Sequence, residues 1–454
     1  MNVLRSFSRK LIFPILILSA FCIALPPFFK SMSLVLFALV LLLSGEMFKI
    51  KYSFKQIVNA KNPLFWLVAL FVVYALGMLW SKDLDYGLRD LTIKLPLLIV
   101  PVLCFFLPKR FVTRKRLWIY SSAFIAGLLV VLFECLIKGL ANAFSGEGFA
   151  IEYIFYTRLS GGYHVTYLSL FCLVALFVLY KIPLSKLFSI DSKTSFVIKG
   201  MLFVVLDVFL ILLSARIAFI GMILLHAGIA FDLFVFRKQY LKSLSVLFLI
   251  TIVVFGASNI KTFNQRYQNI DKRTTIAQQG SQKKVSDSLS QRSFIYSNIF
   301  ELIKRNWVIG YGTGDSRMAL EDFYNEKNVS FGRYLNAHNQ FLQTAVAVGV
   351  LGLLCLMMCF VSYLFGFLGK NTYVFLFAIA LIGLSMMTEA ILERQAGVHF
   401  CAFAFCWFIP FMKRSKTKKN KDCISNPYCY IYVLKRYYSS SESSFESSIS
   451  SISE

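Results

Sequence analysis

A histidine stands where a long hydrophilic loop re-enters an apolar segment. Ala337-His338-Asn339-Gln340 opens the apolar run 341–352, and His338 is one of four histidines in the chain. At a membrane surface, beside water and near the positive end of a helix, an imidazole favours its neutral form. We therefore predict that His338 is a general base acting on a hydroxyl. The alternative is an interfacial histidine that only caps the helix through Asn339 and water.

Two arginines are candidates for holding an anion. Arg216 lies between two apolar runs in Leu-Leu-Ser-Ala-Arg-Ile-Ala-Phe, and Arg292 lies at the start of an amphipathic loop segment. A guanidinium binds phosphate oxygens in a bidentate manner, so we predict a phosphate contact for Arg216. Arg292 shares its loop with other arginines, which together predict a basic face toward an anionic substrate. The alternatives are an arginine whose side chain extends to the lipid headgroups, for Arg216, and a solvated loop residue, for Arg292.

Further ionisable and aromatic residues lie within or beside apolar runs. Asp207 is the most deeply placed, and its carboxyl is either a proton relay or a hydrogen-bonded structural acid. His164 and Tyr167 begin another apolar run, and we expect them to line the same cavity as His338. The remaining candidates for lining the site are Asn339, Glu389, Glu393 and Arg394.

Two groups of glycines flank the histidine in sequence. Gly310-Tyr-Gly312-Thr-Gly314 is only superficially similar to a phosphate-binding loop, because no strand-to-helix unit surrounds it and no Gly-Lys-Ser/Thr follows. This segment predicts a tight turn. Gly349 and Gly352 lie one helical turn apart and predict close packing between helices.

The elements that position these residues are predicted to be membrane-spanning helices. The chain has 454 residues, 57% of them hydrophobic, and a mean hydropathy of +0.66. Repeated apolar runs of roughly 17–25 residues match the thickness of a bilayer, and a helix satisfies its own backbone in lipid. We predict an all-α polytopic membrane protein with about 12 transmembrane helices. The predicted spans are residues 11–29, 32–48, 63–80, 92–107, 117–138, 164–181, 196–214, 217–236, 243–258, 340–367, 372–388 and 396–412.

The charge distribution predicts the orientation. The net charge of +25 does not indicate nucleic acid binding, because most basic residues lie in short connections between apolar runs. When the N-terminus is placed inside, the basic connections fall on the cytoplasmic side. We therefore predict a multi-pass membrane protein with both termini in the cytoplasm. The ten cysteines form no CxxC pair and support neither a disulfide framework nor a metal site.

The chain divides into four predicted regions. Residues 1–258 carry spans 1–9, residues 259–338 form a periplasmic loop domain, residues 339–412 carry spans 10–12, and residues 413–454 form a basic, then Ser-rich cytoplasmic tail. Within the loop domain, 288–307 is predicted to be an amphipathic helix and Asp315 is predicted to cap a second helix that runs to about Lys327. The apolar face of the first helix consists of Ile295, Ile299, Leu302 and Ile303.

Taken together, these residues resemble the O-antigen ligase family, which shares a membrane domain with O-antigen polymerases and protein O-oligosaccharyltransferases. The family pattern is His, then Asn, Ser or Gln, nine residues, Gly, two residues and Gly. His338, Asn339, Gly349 and Gly352 match it at every position.

Other segments extend this resemblance over residues 120–412. Arg292 with the glycines of 310–314 is similar to the Arg…Gly-x-Gly-x-Gly part of the family's periplasmic loop. Arg216 is similar to an arginine near the outer end of a span, and 388–397 resembles the segment before the last span.

The resemblance implies a glycosyltransferase of lipopolysaccharide biosynthesis that uses no metal, nucleotide or other cofactor. Its donor is a glycan on undecaprenyl pyrophosphate, and its acceptor is a sugar hydroxyl of lipid A–core. His338 deprotonates or orients this hydroxyl, while Arg216 and Arg292 hold the pyrophosphate. A single displacement then inverts the anomeric carbon.

Two kinds of alternative remain open. Within the superfamily, the protein is an O-antigen polymerase or a protein O-oligosaccharyltransferase. In another class, it is a lipid-glycan transporter, for which inverted repeats and interrupted helices are expected. The sequence shows neither feature clearly, and a loop of about 80 residues favours chemistry at the outer surface.

Overall fold

The computed structural model describes residues 2–49, 62–145, 149–260, 283–284, 288–330, 336–367 and 375–412, and the predicted tail 413–454 lies outside them. Residues Met1–Met412 form one compact unit. The α-helices are Asn2–Cys22, Pro27–Leu43, Pro63–Leu76, Leu84–Lys94, Pro96–Phe106, Arg114–Ala143, Tyr156–Ser160, Val165–Lys181, Leu184–Phe188, Ser192–Leu213, Arg216–Phe231, Tyr240–Ser258, Ser288–Arg305, Ser316–Glu326, Gln340–Phe367, Phe375–Met386 and Gln395–Met412. Short 3-10 or π turns cover Met47–Lys49, Gly77–Trp80, Lys109–Val112, Ile151–Ile154, Asp232–Phe236 and Ile391–Glu393. Two-residue strands, Lys283–Lys284 and Val329–Ser330, pair in parallel.

Most of the predicted spans coincide with apolar helices. Within the described residues, six helices are long and apolar enough to cross a membrane: Pro63–Trp80, Arg114–Ala143, Ser192–Leu213, Arg216–Phe236, Tyr240–Ser258 and Gln340–Phe367. Shorter apolar helices are Pro27–Leu43, Val165–Lys181, Phe375–Met386 and Gln395–Pro410. The chain is therefore an all-helical, multi-pass membrane protein, while the total of about 12 spans stays a prediction.

Two predicted boundaries differ from the structure. The predicted span 11–29 is interrupted, because Asn2–Cys22 ends and Pro27 begins the next helix, where a proline needs no backbone N–H partner. The predicted span 92–107 is preceded by the helix Leu84–Lys94, whose first turn is capped by Asp83.

The Val165–Lys181 helix lies at the centre of the bundle. Nearly all of its side chains are buried, as expected for a helix that is apolar on every side. It contacts the Ser192–Leu213, Arg216–Phe231 and Phe375–Met386 helices. Its N-terminal residue follows His164 directly, so the packing of this helix also fixes the position of His164.

The deeply placed Asp207 has a partner on the neighbouring helix. Its Oδ2 lies 3.1 Å from Nε2 of His226, and both side chains are 1% exposed. Nδ1 of His226 lies 2.9 Å from the carbonyl oxygen of Met222. This geometry favours the structural alternative for Asp207.

The two predicted helices of the large loop (residues 259–338) are confirmed as Ser288–Arg305 and Ser316–Glu326. Ile295, Ile299 and Leu302 are buried as expected, and Ile303 is partly buried beside them. Both helices contact the Gln340–Phe367 helix, so the loop packs directly on a membrane-spanning element.

Candidate active site

The Gln340–Phe367 helix is interrupted inside the apolar run. Val348 (φ −133°, ψ 18°) and Gly349 (φ 64°, ψ −157°) leave the helical conformation. The break releases the carbonyls of Val346 and Ala347, which accept the backbone N–H groups of Tyr311 and Gly312, each at 2.9 Å. On the other side of the break, the N–H of Val350 donates to the carbonyl of Trp307 at 2.9 Å. We call these three bonds the loop–helix interlock.

Two glycines make the interlock possible. A Cβ on Gly349 would lie 2.3 Å from the carbonyl oxygen of Val308, and a Cβ on Gly310 (φ 70°) would lie 2.6 Å from the backbone of Ala347. Gly310 and Gly312 therefore form the turn that the sequence predicts. The expectation that Gly349 and Gly352 allow helices to pack is wrong. Gly349 faces loop backbone, and a Cβ on Gly352 would meet Val348 of its own helix at 2.3 Å.

The same glycine-rich loop also binds the turn after the Pro63–Leu76 helix. Oγ1 of Thr313 donates to the carbonyl of Tyr74 at 2.6 Å, and the N–H of Gly314 donates to Oγ of Ser81 at 2.9 Å. The carboxylate of Asp315 accepts backbone N–H groups of residues 82 and 83 at 2.8–3.0 Å. Asp315 does precede a helix, but it makes no side-chain bond to that helix. The predicted capping bond is wrong, because the carboxylate binds a different segment.

His338 has a left-handed backbone conformation that its neighbours hold in place. Its φ is 46°, which is uncommon outside glycine and costs of order 1 kcal/mol or more. Its N–H donates to Oδ1 of Asn336 at 3.0 Å, and its carbonyl accepts the hydroxyl of Tyr296 at 2.8 Å. The hydroxyl of Tyr296 also contacts the carbonyl of Met387 at 3.1 Å and so links the histidine to the turn before Glu389.

Asn339, predicted as a possible lining residue, caps the helix. Its Oδ1 accepts the N–H groups of Phe341 and Leu342 at 2.9 and 3.2 Å. The alternative prediction for His338 is a capping role through Asn339. The side chain of Asn339 caps the helix by itself, so the imidazole of His338 is not needed for capping.

Glu389 brings His338 and Arg292 together. Its Oε2 lies 3.5 Å from Nδ1 of His338 and 3.4 Å from Nη2 of Arg292, and its side chain is only 4% exposed. Burial acts to raise the pKa of Glu389, but His338 and the positive charge of Arg292 outweigh it, and the pKa lies below its ordinary value. Glu389 is therefore ionised between the two groups.

Two nitrogen atoms in the cluster of His338, Glu389 and Arg292 can still bind a ligand. Among the residues that the structure describes, Nε2 of His338 and Nε of Arg292 are buried and have no hydrogen-bond partner. With Nδ1 facing a carboxylate, Nε2 is the atom that can accept a proton. An unpaired guanidinium N–H beside it suits an anionic ligand.

His164 and Tyr167 lie beside this cluster. Their rings are 4.6 Å apart, and the hydroxyl of Tyr167 donates to the carbonyl of Ala390 at 3.4 Å. His164 lies close enough to Glu389 and His338 for their charges to act on it.

Glu393 and Arg394 lie apart from the cluster's polar contacts. Oε1 of Glu393 is 3.0 Å from Nζ of Lys94. Arg394 is exposed, and its carbonyl accepts the N–H groups of residues 397 and 398 at the start of the last helix. Of the three candidates that this segment supplies, only Glu389 contacts His338.

Arg216 begins the Arg216–Phe231 helix two residues after Ser214, whose φ of 48° ends the preceding helix. This helix contacts the Val165–Lys181 helix. Between these two helices the chain forms the five-residue helix Leu184–Phe188 and the long helix Ser192–Leu213. Because only the long helix is long enough to return the chain across the bundle, we infer that Arg216 and His164 lie at the same end of the bundle. Arg216 is half-buried there, and its contact with a donor stays a prediction.

Tyr296 and Lys94 are not among the residues predicted from the sequence. Tyr296 lies one helical turn after Arg292 and therefore on the same face, which is a signal that the sequence contained. Lys94 is a charged residue inside a predicted span, and charges in such places are rarely without a role. Among the described residues, no three His, Cys, Asp or Glu side chains are grouped to hold a metal ion.

Part of the chain is similar to a known protein family. No curated protein matches the chain. A family model described as O-antigen ligase matches residues 200–357, a range that includes Arg216, Arg292, His338 and the interlock glycines but ends before Glu389. This match identifies residues 200–357 as an O-antigen ligase domain.

Proposed function

We propose that the protein transfers a glycan from undecaprenyl pyrophosphate to a sugar hydroxyl of lipid A–core at the periplasmic face of the bacterial inner membrane. The observation that carries this proposal is the cluster in which the buried Glu389 contacts the partly buried His338 and Arg292, and in which Nε2 of His338 has no hydrogen-bond partner among the described residues. The family supports a lipid-linked glycan as the substrate class.

In this proposal His338 is the general base. Nε2 takes the proton of the acceptor hydroxyl as its oxygen attacks the anomeric carbon and the bond to the pyrophosphate breaks. Glu389 holds Nδ1 and stabilises the imidazolium that forms. The proton thus moves to His338, the electron pair of the broken bond leaves with the pyrophosphate, and the anomeric configuration inverts.

The charges of the cluster suit the donor. Arg292 is only partly neutralised by Glu389, and its Nε remains available for a pyrophosphate oxygen. We assign Arg216 a second contact with the pyrophosphate. Pyrophosphate is a good leaving group, so the two guanidinium groups mainly stabilise the charge that develops on it.

The helix break bears on the transporter alternative, because interrupted helices are expected in transporters. Here loop backbone fills the break at Gly349 through the interlock. Gly349 is nine residues after the helix start, about 14 Å along the axis. The break therefore serves to hold a loop near one end of the helix, which favours surface chemistry over transport.

Transfer by the purified protein tests the proposal. Given an undecaprenyl-pyrophosphate glycan and lipid A–core, the wild type should form the linked product, and His338→Asn should lose about 10²–10⁴-fold in rate. Asparagine tolerates a positive φ, so this variant spares the backbone. Full activity of His338→Asn would remove the base assignment. A second lipid-linked glycan or a peptide as acceptor distinguishes a polymerase or a protein O-oligosaccharyltransferase from a ligase.

The arginines need a matched control on the same helix. Arg292→Gln should lower the transfer rate more strongly when the donor is limiting than when the acceptor is limiting. Arg216→Gln should have the same effect. Arg305→Gln removes exposed ion pairs with Glu301 and Glu326 and a cation–π contact with the Phe323 ring, all outside the His338 cluster, and should leave the use of donor and acceptor unchanged. Equal losses toward donor and acceptor would contradict a pyrophosphate-binding role.

A further inference from the structure

A fully buried lysine lies close to the candidate active site and has no part in the proposed reaction. The side chain of Lys94 is 0% exposed, and its Nζ lies 2.5 Å from Oδ1 of Asp90 and 3.0 Å from Oε1 of Glu393. Nζ also lies 4.7 Å from the centre of the Tyr74 ring. Charges so deeply buried are kept only in good pairs, because breaking a pair leaves the other charge uncompensated.

The two carboxylates differ in what they attach to Lys94. Asp90 lies one turn earlier on the same helix, so its bond to Lys94 is local. Glu393 lies 299 residues away in the chain, in the segment that follows Glu389. The Lys94–Glu393 pair is therefore the bond that joins the Leu84–Lys94 helix to this segment.

The Glu389–Arg394 segment has little regular structure of its own. Only a short 3-10 turn, Ile391–Glu393, forms within it. Its position is set by bonds from other elements: Oε1 of Gln340 accepts the N–H of Leu392 at 2.6 Å, and Tyr167 donates to Ala390. Apart from the contacts of Glu389 itself with His338 and Arg292, the ion pair with Lys94 is the charged contact of this segment.

We propose that Lys94 and Glu393 form a buried ionic anchor that fixes the Glu389–Arg394 segment and so holds the Glu389 carboxylate between His338 and Arg292. Both are positioning residues. The expected loss of transfer rate rests on the proposed role of His338 as the base. The positioning of Glu389 does not rest on it, because it depends only on the contacts of the segment. A carboxylate displaced by about 1 Å at a catalytic histidine costs up to roughly 10²-fold in rate.

Matched truncations separate positioning from general stability. Glu393→Ala removes the long-range bond and leaves the Lys94–Asp90 pair, whereas Asp90→Ala removes the local bond and leaves the Lys94–Glu393 pair. We expect Glu393→Ala to lower transfer roughly 10- to 100-fold and Asp90→Ala to lower it less than threefold. Glu393→Gln keeps an oxygen that accepts from Lys94 and should restore part of the rate. Glu389→Ala combined with Glu393→Ala should be no slower than Glu389→Ala alone.

A second measurement does not require transfer activity. Diethyl pyrocarbonate modifies accessible neutral imidazoles, and mass spectrometry can follow His338 while the buried His226 and His399 serve as internal references. Glu393→Ala and Glu389→Ala should both raise the rate of modification of His338 several-fold, and Asp90→Ala should not. Equal rates in Glu393→Ala and Asp90→Ala would overturn the anchor. If the modification pattern holds while no variant or wild type transfers glycan, the proposed function fails and the anchor stands.

Discussion

Replacing Gly349 with alanine should undock the large loop from the broken helix while the bundle stays folded. The backbone conformation of Gly349 (φ 64°, ψ −157°) is essentially restricted to glycine. A Cβ would also lie 2.3 Å from the carbonyl oxygen of Val308, which belongs to backbone and cannot rotate away. Either the strained backbone persists or residues 307–312 retreat.

The size of the effect follows from these two outcomes. A strained residue costs about 1–3 kcal/mol. Retreat of the loop breaks the three bonds of the interlock, each worth about 1 kcal/mol net. Docking should therefore weaken by about 2–4 kcal/mol, which corresponds to roughly a 30- to 1,000-fold loss of protection against hydrogen exchange.

Hydrogen exchange with mass spectrometry on peptides covering 307–314 and 346–352 measures this loss directly. The control is Gly200→Ala in the Ser192–Leu213 helix, where an added Cβ meets nothing within 4 Å. Alanine there should be neutral or stabilising by up to about 1 kcal/mol. Unchanged protection in Gly349→Ala, or an equal loss in Gly200→Ala, would refute the reasoning.

Three further variants test the surroundings of the site. Tyr296→Phe removes the hydroxyl that donates to His338 and the neighbouring turn; it should cost about 1–2 kcal/mol in melting experiments and lower transfer. Because the pKa of Glu389 is lowered in the folded protein, its carboxylate adds stability that is fully present above the ordinary value of 4.5. That stability is lost as pH falls through the lower folded value. The difference in melting temperature between wild type and Glu389→Gln should thus be constant at neutral pH and shrink in acid; a difference that grows in acid would contradict the sign. Asp315→Ala should increase exchange at the N–H groups of residues 82 and 83, whereas the exposed Asp322→Ala should not.

Hydrophobic patterning predicted much of the fold because it reports the environment of each helix. Ile295, Ile299 and Leu302 lie on one face by spacing alone, and all three are buried. The break at Gly349 was not predictable in this way. The run around it is uniformly apolar, and the conformation is stabilised by a loop that arrives some 40 residues earlier in the chain.

The candidate site was predictable as a set of residues but not as an arrangement. The spacing from His338 to Gly349 and Gly352 matches the pattern of the O-antigen ligase family. The same sequence does not show which distant side chains contact one another. Glu389 meets Arg292 across 97 residues and Lys94 meets Glu393 across 299. Such pairings depend on how helices pack, and no local pattern encodes them.

The loop–helix interlock has a consequence for protein engineering. Exchanging loops between relatives is an obvious route to a new acceptor preference, but this loop is not a detachable module. Its backbone is bonded to the spanning helix at Val346, Ala347 and Val350, and Asp315 binds the turn at residues 82 and 83. A chimaera that imports only residues 259–338 would bring half of each contact. The smallest transplant that keeps the geometry of His338 must also carry residues 77–83 and 346–350.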